Sequence, residues 1–208
     1  MSDQKITELD NYTPPIDADV VPIVDTVSGI TKKLSWANIK ATLKTYFDTL
    51  YLSLAGGTMS GDIQLGETDI KLDAVLSGDE KWSGVTMAGT AGATLAVGDV
   101  CFLQTADSKW ELVDGILDGT DLGFKLQLGI CVLAADADAA TEMLVYGKVR
   151  SAAFPAFTVG APVYLSDTAG NLVVAQPSTT NFAIRIVGYA ISATDLMFNP
   201  ANDWMVHV

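Results

Sequence analysis

The second half of the sequence contains an internal duplication, which limits the folds open to a chain of 208 residues. The stretch 97–103 (VGDVCFL) resembles 159–165 (VGAPVYL), and 128–132 (LGICV) resembles 187–191 (VGYAI). Around these motifs, short apolar runs alternate with Gly, Asp, Ser and Asn, as in antiparallel sheets. Two copies about 60 residues apart are too few and too long for a solenoid. The pattern predicts two packed four-strand units that form one β-sandwich or β-barrel over residues 76–208.

The duplication also bears on the two cysteines, Cys101 and Cys131. In the second copy their positions are taken by Val163 and Ala190. A position that holds Val or Ala in its twin is typical of a hydrophobic core. We therefore expect both thiols to be buried in the core, in preference to metal, redox or disulfide roles.

Residues 1–34 are polar, contain several prolines, and hold too few apolar residues to form a core. Pro14 and Pro15 favour extended backbone. The apolar residues around Pro22 suit a short edge strand, because proline cannot donate to a ladder: Val20, Val21, Ile23 and Val24. Ser28 and Gly29 indicate a turn, after which residues 30–34 could return as a second strand. This arm is expected to complete another protein's surface or to pack against copies of itself.

A short amphipathic helix is predicted to begin after Ser35, which is a good N-cap residue. Its apolar residues are spaced by 3, 4, 3 and 4, as in a coiled-coil seam: Trp36, Ile39, Leu43, Tyr46 and Leu50. Two heptads cannot hold a coiled coil together alone, but flanking oligomeric segments would allow it. The alternative is an amphipathic helix that lies on its own domain. A glycine-rich stretch follows, so residues 35–75 are expected to form a helix and a collar.

Charge and hydropathy exclude several classes of function. The chain has 12 basic and 25 acidic residues, a net charge of −13, which disfavours nucleic acid and anionic membrane surfaces as partners. The sequence has no apolar run of transmembrane length, and its first residues lack a signal-peptide pattern. We therefore expect synthesis in a cytoplasm without export.

Residues that could carry chemistry are sparse. His207 is the single histidine and lies one residue from the end of the sequence, where a catalytic triad has no positioned partner. Asp136 and Asp138 could hold calcium, but a solvated acidic turn fits their spacing better. Three tryptophans could stack on sugars, although packing is the commoner role: Trp82, Trp110 and Trp204. The sequence therefore predicts no catalytic residue, no metal site and no cofactor, and so a protein that is not an enzyme.

Three stretches together resemble the fibre and virion-surface proteins of tailed bacteriophages. Residues 16–51 resemble the N-terminal segments of those proteins, and 54–66 (LAGGTMSGDIQLG) is similar to a Gly-Gly-Thr-Met-x-Gly-Asp-Ile motif repeated in fibre shafts. The C-terminal copy is similar to small β-domains of fibre tips and capsid-decoration proteins. The resemblance implies a homotrimer, N-terminal attachment to the particle and an outward C-terminal knob. Because the shaft motif occurs once, a head fibre, a decoration protein or a small tail adaptor is favoured.

The sequence thus predicts a mainly β, non-enzymatic virion protein that is made in the host cytoplasm and displayed on the virion surface. The predicted trimerisation residues are Trp36, Ile39, Leu43, Tyr46 and Leu50. The residues expected to anchor the arm to the major capsid or tail protein are Pro14, Pro15, Val20, Val21, Ile23 and Val24. Two alternatives remain. One is a receptor-binding adhesin whose loops at 107–109 and 167–171 contact host surface glycans, and the other is a glycan-cleaving spike.

Overall fold

The computed structural model describes residues 15–50, 67, 69–117 and 122–208, except for the side chains of residues 49 and 50. Contacts between residues divide the chain into two compact units, Met1–Thr68 and Asp69–Val208. Strands dominate the described residues, and there is one α-helix. The predicted mainly β class is therefore confirmed.

The first unit contains a β-hairpin of strands β1 (Val20–Asp25) and β2 (Ile30–Ser35). The strands are antiparallel, with Val20 opposite Ser35 and Asp25 opposite Ile30. Pro22 is tolerated because β1 has one open edge, as the sequence predicts. Gly29 has φ +66°, a left-handed conformation that glycine adopts without steric cost, and its N–H donates to the Asp25 carbonyl at 2.7 Å. The predicted edge strand, turn and returning strand are all present.

Helix α1 (Trp36–Leu50) follows directly from the hairpin. The Ser35 hydroxyl accepts a hydrogen bond from the Asn38 N–H at 3.2 Å, which confirms the predicted N-cap. The Trp36 N–H donates to the Asp19 carbonyl at 2.8 Å, and Lys40 forms an ion pair with Asp17. The turn before the hairpin therefore holds the start of the helix. No helix in the described part of the chain is long and apolar enough to cross a membrane.

The described residues of the second unit form eleven strands: β3 (Trp82–Thr90), β4 (Val100–Leu103), β5 (Trp110–Leu112), β6 (Leu128–Leu133), β7 (Ala140–Arg150), β8 (Pro162–Leu165), β9 (Leu172–Val173), β10 (Phe182–Ile184), β11 (Ile186–Ala190), β12 (Asp195–Phe198) and β13 (Met205–His207). Nine of them form one sheet in the order β5-β4-β6-β7-β12-β11-β8-β9, with β3 paired to β7. Strands β10 and β13 form a separate pair. A 3₁₀ turn spans Gly123–Lys125.

The strand order confirms the predicted duplication. Strands β5-β4-β6-β7 and β9-β8-β11-β12 have the same internal order and meet where β7 pairs with β12. Equivalent backbone hydrogen bonds recur in both copies: the Gly98 N–H donates to the Cys131 carbonyl at 2.9 Å, and the Gly160 N–H to the Ala190 carbonyl at 2.8 Å. The aligned sequence motifs therefore occupy equivalent positions in the two halves of the sheet.

The two copies nevertheless differ in which of their aligned residues face the main core. Along β7, Leu144 and Val149 both pack in that core. They are five residues apart, so in a regular strand they would lie on opposite faces. The change of parity follows from an irregularity beside Val145, where the pairing with β3 moves from Tyr146 to Leu144. One extra residue in a strand exchanges its two faces. Consequently Cys131 lies in a second cluster, while its aligned partner Ala190 lies in the main core.

The main core lies inside the curled sheet, and three backbone hydrogen bonds join the two ends of that sheet. The Val100 N–H donates to Gly170, the Gly170 N–H to Val113, and the Gly115 N–H to Ser166, at 2.8, 2.8 and 2.9 Å. The core residues come from both copies, and the largest fully buried ones include Phe102, Phe124, Leu128, Ile130, Leu144, Leu165, Leu196 and Phe198. The predicted barrel-like or sandwich-like domain is thus a curled antiparallel sheet.

Candidate interaction surfaces

The predicted trimerisation residues lie on one stripe of α1. Trp36 and Ile39 are half-buried, whereas Leu43 and Tyr46 are 46% and 58% exposed. Phe47 beside them is also exposed, and its ring lies 5.7 Å from that of Tyr46 in an edge-to-face arrangement. The side chain of Leu50 is outside the described residues. An exposed apolar stripe is present in the single chain, and the trimer that it would form stays a prediction.

The predicted anchoring residues are exposed on both faces of the hairpin. The register places Val21 and Ile23 on one face and Val20 and Val24 on the other. All four are exposed, with Val24 at 65%, and Pro15 is exposed as well. Pro14 lies outside the described residues. The hairpin therefore presents two apolar faces, and its role in attachment stays a prediction.

The described residues 15–48 contain no buried side chain. Ten large hydrophobic residues are exposed in this stretch: Ile16, Val20, Val21, Ile23, Val24, Val27, Ile30, Leu43, Tyr46 and Phe47. Hydrogen bonds and ion pairs thus fix the fold of the hairpin and helix, including a Lys32–Asp25 pair at 2.5 Å. Dense exposed apolar surface on a folded segment is typical of an interaction site.

Several residues considered for chemistry in the second unit are buried or make other contacts. Asp138 pairs with Lys109 at 2.7 Å, and no group of three His, Cys, Asp or Glu side chains that could hold a metal occurs in the described ranges. Trp110 is fully buried and cannot stack on a sugar. His207 lies in β13, where the strand pair places it opposite Phe182.

Both cysteines are buried, as the duplication predicts. Cys101 and Cys131 are free thiols in the smaller cluster, which they share with Trp110 and Met143. Burial raises the pKa of both thiols, because the thiolate form is poorly solvated there. Such thiols are unreactive compared with exposed ones.

The sequence did not indicate a depression on the second unit. Its volume is about 690 Å³, and it lies beside the end of β4 and the 3₁₀ turn. Polar and apolar side chains line it, among them Phe102, Gln104, Thr105, Leu122, Lys125 and Leu126. These residues come from segments about twenty positions apart that form no motif, so no signal in the sequence could have joined them.

Neither family models nor curated proteins give a match to this chain.

Proposed function

We propose that the chain is a non-enzymatic structural protein of a tailed-bacteriophage virion. It forms a short homotrimeric fibre or decoration protein on the particle surface. The hairpin and helix of residues 15–50 assemble the trimer and attach it to the major capsid or tail protein. The β-domain is displayed outward.

The exposed apolar surface of the hairpin and helix is the observation that carries this proposal. Burying an apolar side chain stabilises an assembly by about 1.5–3 kcal/mol for a residue of the size of Val or Leu. The described residues 15–48 leave ten such side chains exposed and bury none completely. Contact with other chains would give this segment that stabilisation.

Charge supports self-association through the same segment. Residues 15–50 contain four lysines and four aspartates, whose charges cancel: Lys32, Lys33, Lys40 and Lys44, and Asp17, Asp19, Asp25 and Asp48. The whole chain carries −13, so copies repel one another through their other parts. A neutral, apolar segment is where copies can approach at the lowest electrostatic cost.

The resemblance of residues 16–51 and 54–66 to phage fibre proteins supports the placement on a virion. Trimerisation would let three weak anchors act together, because linked sites raise each other's effective concentration. Three copies of the hairpin would present both of its apolar faces to the particle.

Attachment can be tested with virions that are produced without this chain and then mixed with purified protein. Wild type should co-sediment with the particles, and Val24→Lys, at a 65% exposed hairpin position, should reduce co-sedimentation at least tenfold. Val85→Lys is the matched control, since Val85 is a 58% exposed strand valine in the β-domain. Equal attachment of Val24→Lys and wild type, or failure of wild type to attach, would refute the anchoring role.

A further inference from the structure

Strand β3 lies at an edge of the large sheet, since β7 is the one described strand that pairs with it. The Lys81 carbonyl, just before β3, accepts from the Arg150 N–H at 2.9 Å, and the Ala91 N–H, just after β3, donates to the Ala139 carbonyl at 2.9 Å. In an antiparallel pair, alternate residues of a strand turn their N–H and C=O groups toward the same neighbour. The odd-numbered residues of β3 therefore bond to β7, and the even-numbered residues point away from it.

The backbone groups that point away from β7 have no strand partner over most of β3, within the described part of the chain. They belong to Trp82, Gly84, Thr86 and Ala88. Beyond them the edge is closed, because Ala91 forms a bridge with Trp110 and the Gly92 N–H donates to the Trp110 carbonyl at 2.8 Å. Residues 82–88 are called the open edge below.

The open edge lacks the features that keep sheet edges from pairing. Strand β3 (WSGVTMAGT) contains no charged residue and no proline, although residues 69–208 contain sixteen acidic and seven basic residues. Charged side chains and proline are common means by which edge strands avoid pairing with other chains. An uncharged edge with open backbone groups is therefore a site where another strand can add to the sheet.

Exposed apolar side chains lie on one face of the sheet beside the open edge. Val85 and Tyr146 are direct cross-strand partners on β3 and β7, and they are 58% and 46% exposed. Met87 lies two residues along β3, on the same face as Val85, and is also exposed. An added strand with an apolar residue opposite Val85 would bury part of this surface.

We propose that the open edge pairs with the same edge of a second copy of this chain, antiparallel and about a two-fold axis. The register that uses all of residues 82–88 places the axis at Val85. Trp82 then lies opposite Ala88 of the second copy, and Gly84 lies opposite Thr86. All four are residues with open backbone groups, so each of these pairs can exchange two hydrogen bonds.

The side chains of the open edge suit this register. The large Trp82 lies opposite the small Ala88, and the two Val85 side chains meet at the axis. With Tyr146 of each copy they form one apolar row across the contact. The edge itself is uncharged, so two copies of an acidic unit meet there without placing like charges opposite each other.

A two-fold contact pairs chains two by two, so complete pairing of trimers joins chains of different trimers. One pair of short strands is small compared with a standard protein interface, and we expect it to form at about millimolar concentration. It therefore leaves the mass in dilute solution unchanged. Neighbouring copies on one particle would raise the effective concentration. That last role rests on the proposed function, whereas the contact between two chains does not.

The first test is disulfide cross-linking of the full chain that carries Leu43→Asp, which separates this contact from the helix. At about 0.5 mM and under mild oxidation, Val85→Cys should form a covalent dimer at least about fivefold faster than Val159→Cys, because opposed residues at the axis lie within disulfide distance. Val159 is a 68% exposed valine of the same unit and serves as the matched control. The native cysteines are buried.

The second test checks the register. Ser83 lies opposite Met87 of the second copy, so a mixture of Ser83→Cys and Met87→Cys should give mainly the mixed disulfide, at least about fivefold more than either variant alone. Random collision would give similar amounts of all three products. Equal cross-linking of Val85→Cys and Val159→Cys, or no excess of the mixed disulfide, would overturn the proposal.

Sedimentation velocity tests the contact without cysteines. The Leu43→Asp chain should sediment faster at about 1 mM than at about 10 µM, and adding Val85→Lys should remove that difference, because it places two ammonium groups at the axis. A difference that survives Val85→Lys, or no difference in Leu43→Asp itself, would also overturn the proposal. A wild-type chain that is not trimeric, or that does not attach to particles, leaves all these expectations unchanged, so the two proposals can fail separately.

Discussion

Arg150 and Asp195 form a bidentate ion pair across the junction of the two duplicated halves. Arg150 Nε lies 2.5 Å from Asp195 Oδ1, and Nη2 lies 2.9 Å from Oδ2. The residues are direct cross-strand partners on β7 and β12. Arg150 Nη1 also donates to the Leu76 carbonyl at 3.0 Å, so one guanidinium joins both copies and the segment before β3. Hydrogen bonding to Arg150 holds the pKa of Asp195 below its ordinary value.

Asp195→Asn should lower the melting temperature of the β-domain by about 5 °C, because it leaves a poorly solvated guanidinium without its carboxylate. Differential scanning calorimetry at pH 7 measures this. Asp203→Asn removes the same charge at an exposed position and should leave the melting temperature within about 1 °C of wild type.

The same pair predicts a pH dependence. Because the folded-state pKa of Asp195 is lowered from 3.8, its stabilising effect is fully present above that value and is lost as pH falls through the folded pKa. The difference in melting temperature between wild type and Asp195→Asn should therefore shrink below about pH 4. A difference that stays constant down to pH 2.5 would show that the ion pair does not contribute.

Arg185→Met should destabilise the β-domain by about 3 kcal/mol. The substitution keeps the length of the buried side chain but leaves the carbonyls of Phe124, Leu126 and Ala201 without donors. Arg185→Lys should recover only part of the loss, since an ammonium lacks the planar fork of the guanidinium. Urea denaturation measures the stability of both variants. Equal stability of Arg185→Met and wild type would show that these hydrogen bonds of Arg185 do not contribute.

Asp25 in the hairpin should titrate with a pKa of about 2, because Lys32, Ser28 and the Val27 N–H all donate to its carboxylate. Carboxyl-carbon NMR detects this directly. In Lys32→Ala the pKa should rise toward 3.8, and in Lys33→Ala, whose side chain lies on the other face of the hairpin, it should not. A normal pKa for Asp25 in wild type would contradict these contacts to its carboxylate.

Gly84→Ala should cost about 3 kcal/mol of stability by forcing β3 away from β7. A Cβ at Gly84 would lie 2.1 Å from the Tyr146 carbonyl oxygen and 2.7 Å from the Gly147 Cα, which are backbone atoms that cannot rotate away. Gly78→Ala is the control, because a Cβ there meets nothing within 4 Å. Chemical denaturation should give Gly84→Ala a clearly lower free energy of unfolding than Gly78→Ala.

Local signals in the sequence predict the first unit well. Pro22 and Gly29 determine where an edge strand and a turn can form, and Ser35 determines where the helix begins. These constraints act within a few residues and need no knowledge of the rest of the fold. The duplication is equally readable, because the Gly98 and Gly160 turns preserve their sequence along with their hydrogen bonds.

Features that depend on contacts between distant residues cannot be predicted from local sequence patterns. Strand β3 lies outside the duplicated motifs, and only its pairing with β7 defines it. The irregularity beside Val145 exchanges the faces of β7, so Cys131 and Ala190 are both buried but in different clusters. The prediction of buried cysteines is thus correct, although the twin positions do not share one core.

The role of Arg185 beside the 3₁₀ turn also could not be predicted from the sequence. Arg185 is an isolated basic residue in an apolar stretch, and a sequence pattern cannot tell a buried clamp from a solvated charge. Its role follows from carbonyls about sixty residues earlier in the chain and sixteen later.

Self-association through the hairpin and helix is the central claim, and sedimentation equilibrium of the full chain tests it most directly. We expect wild type to have three times the 21.9 kDa mass of one chain. Leu43→Asp should convert it to the single-chain mass while the β-domain stays folded, because a charge would replace a 46% exposed leucine in the proposed seam. Leu133→Asp, at a 51% exposed leucine of the β-domain, should remain trimeric. A wild-type mass of 21.9 kDa, or a trimer that survives Leu43→Asp, would contradict the account.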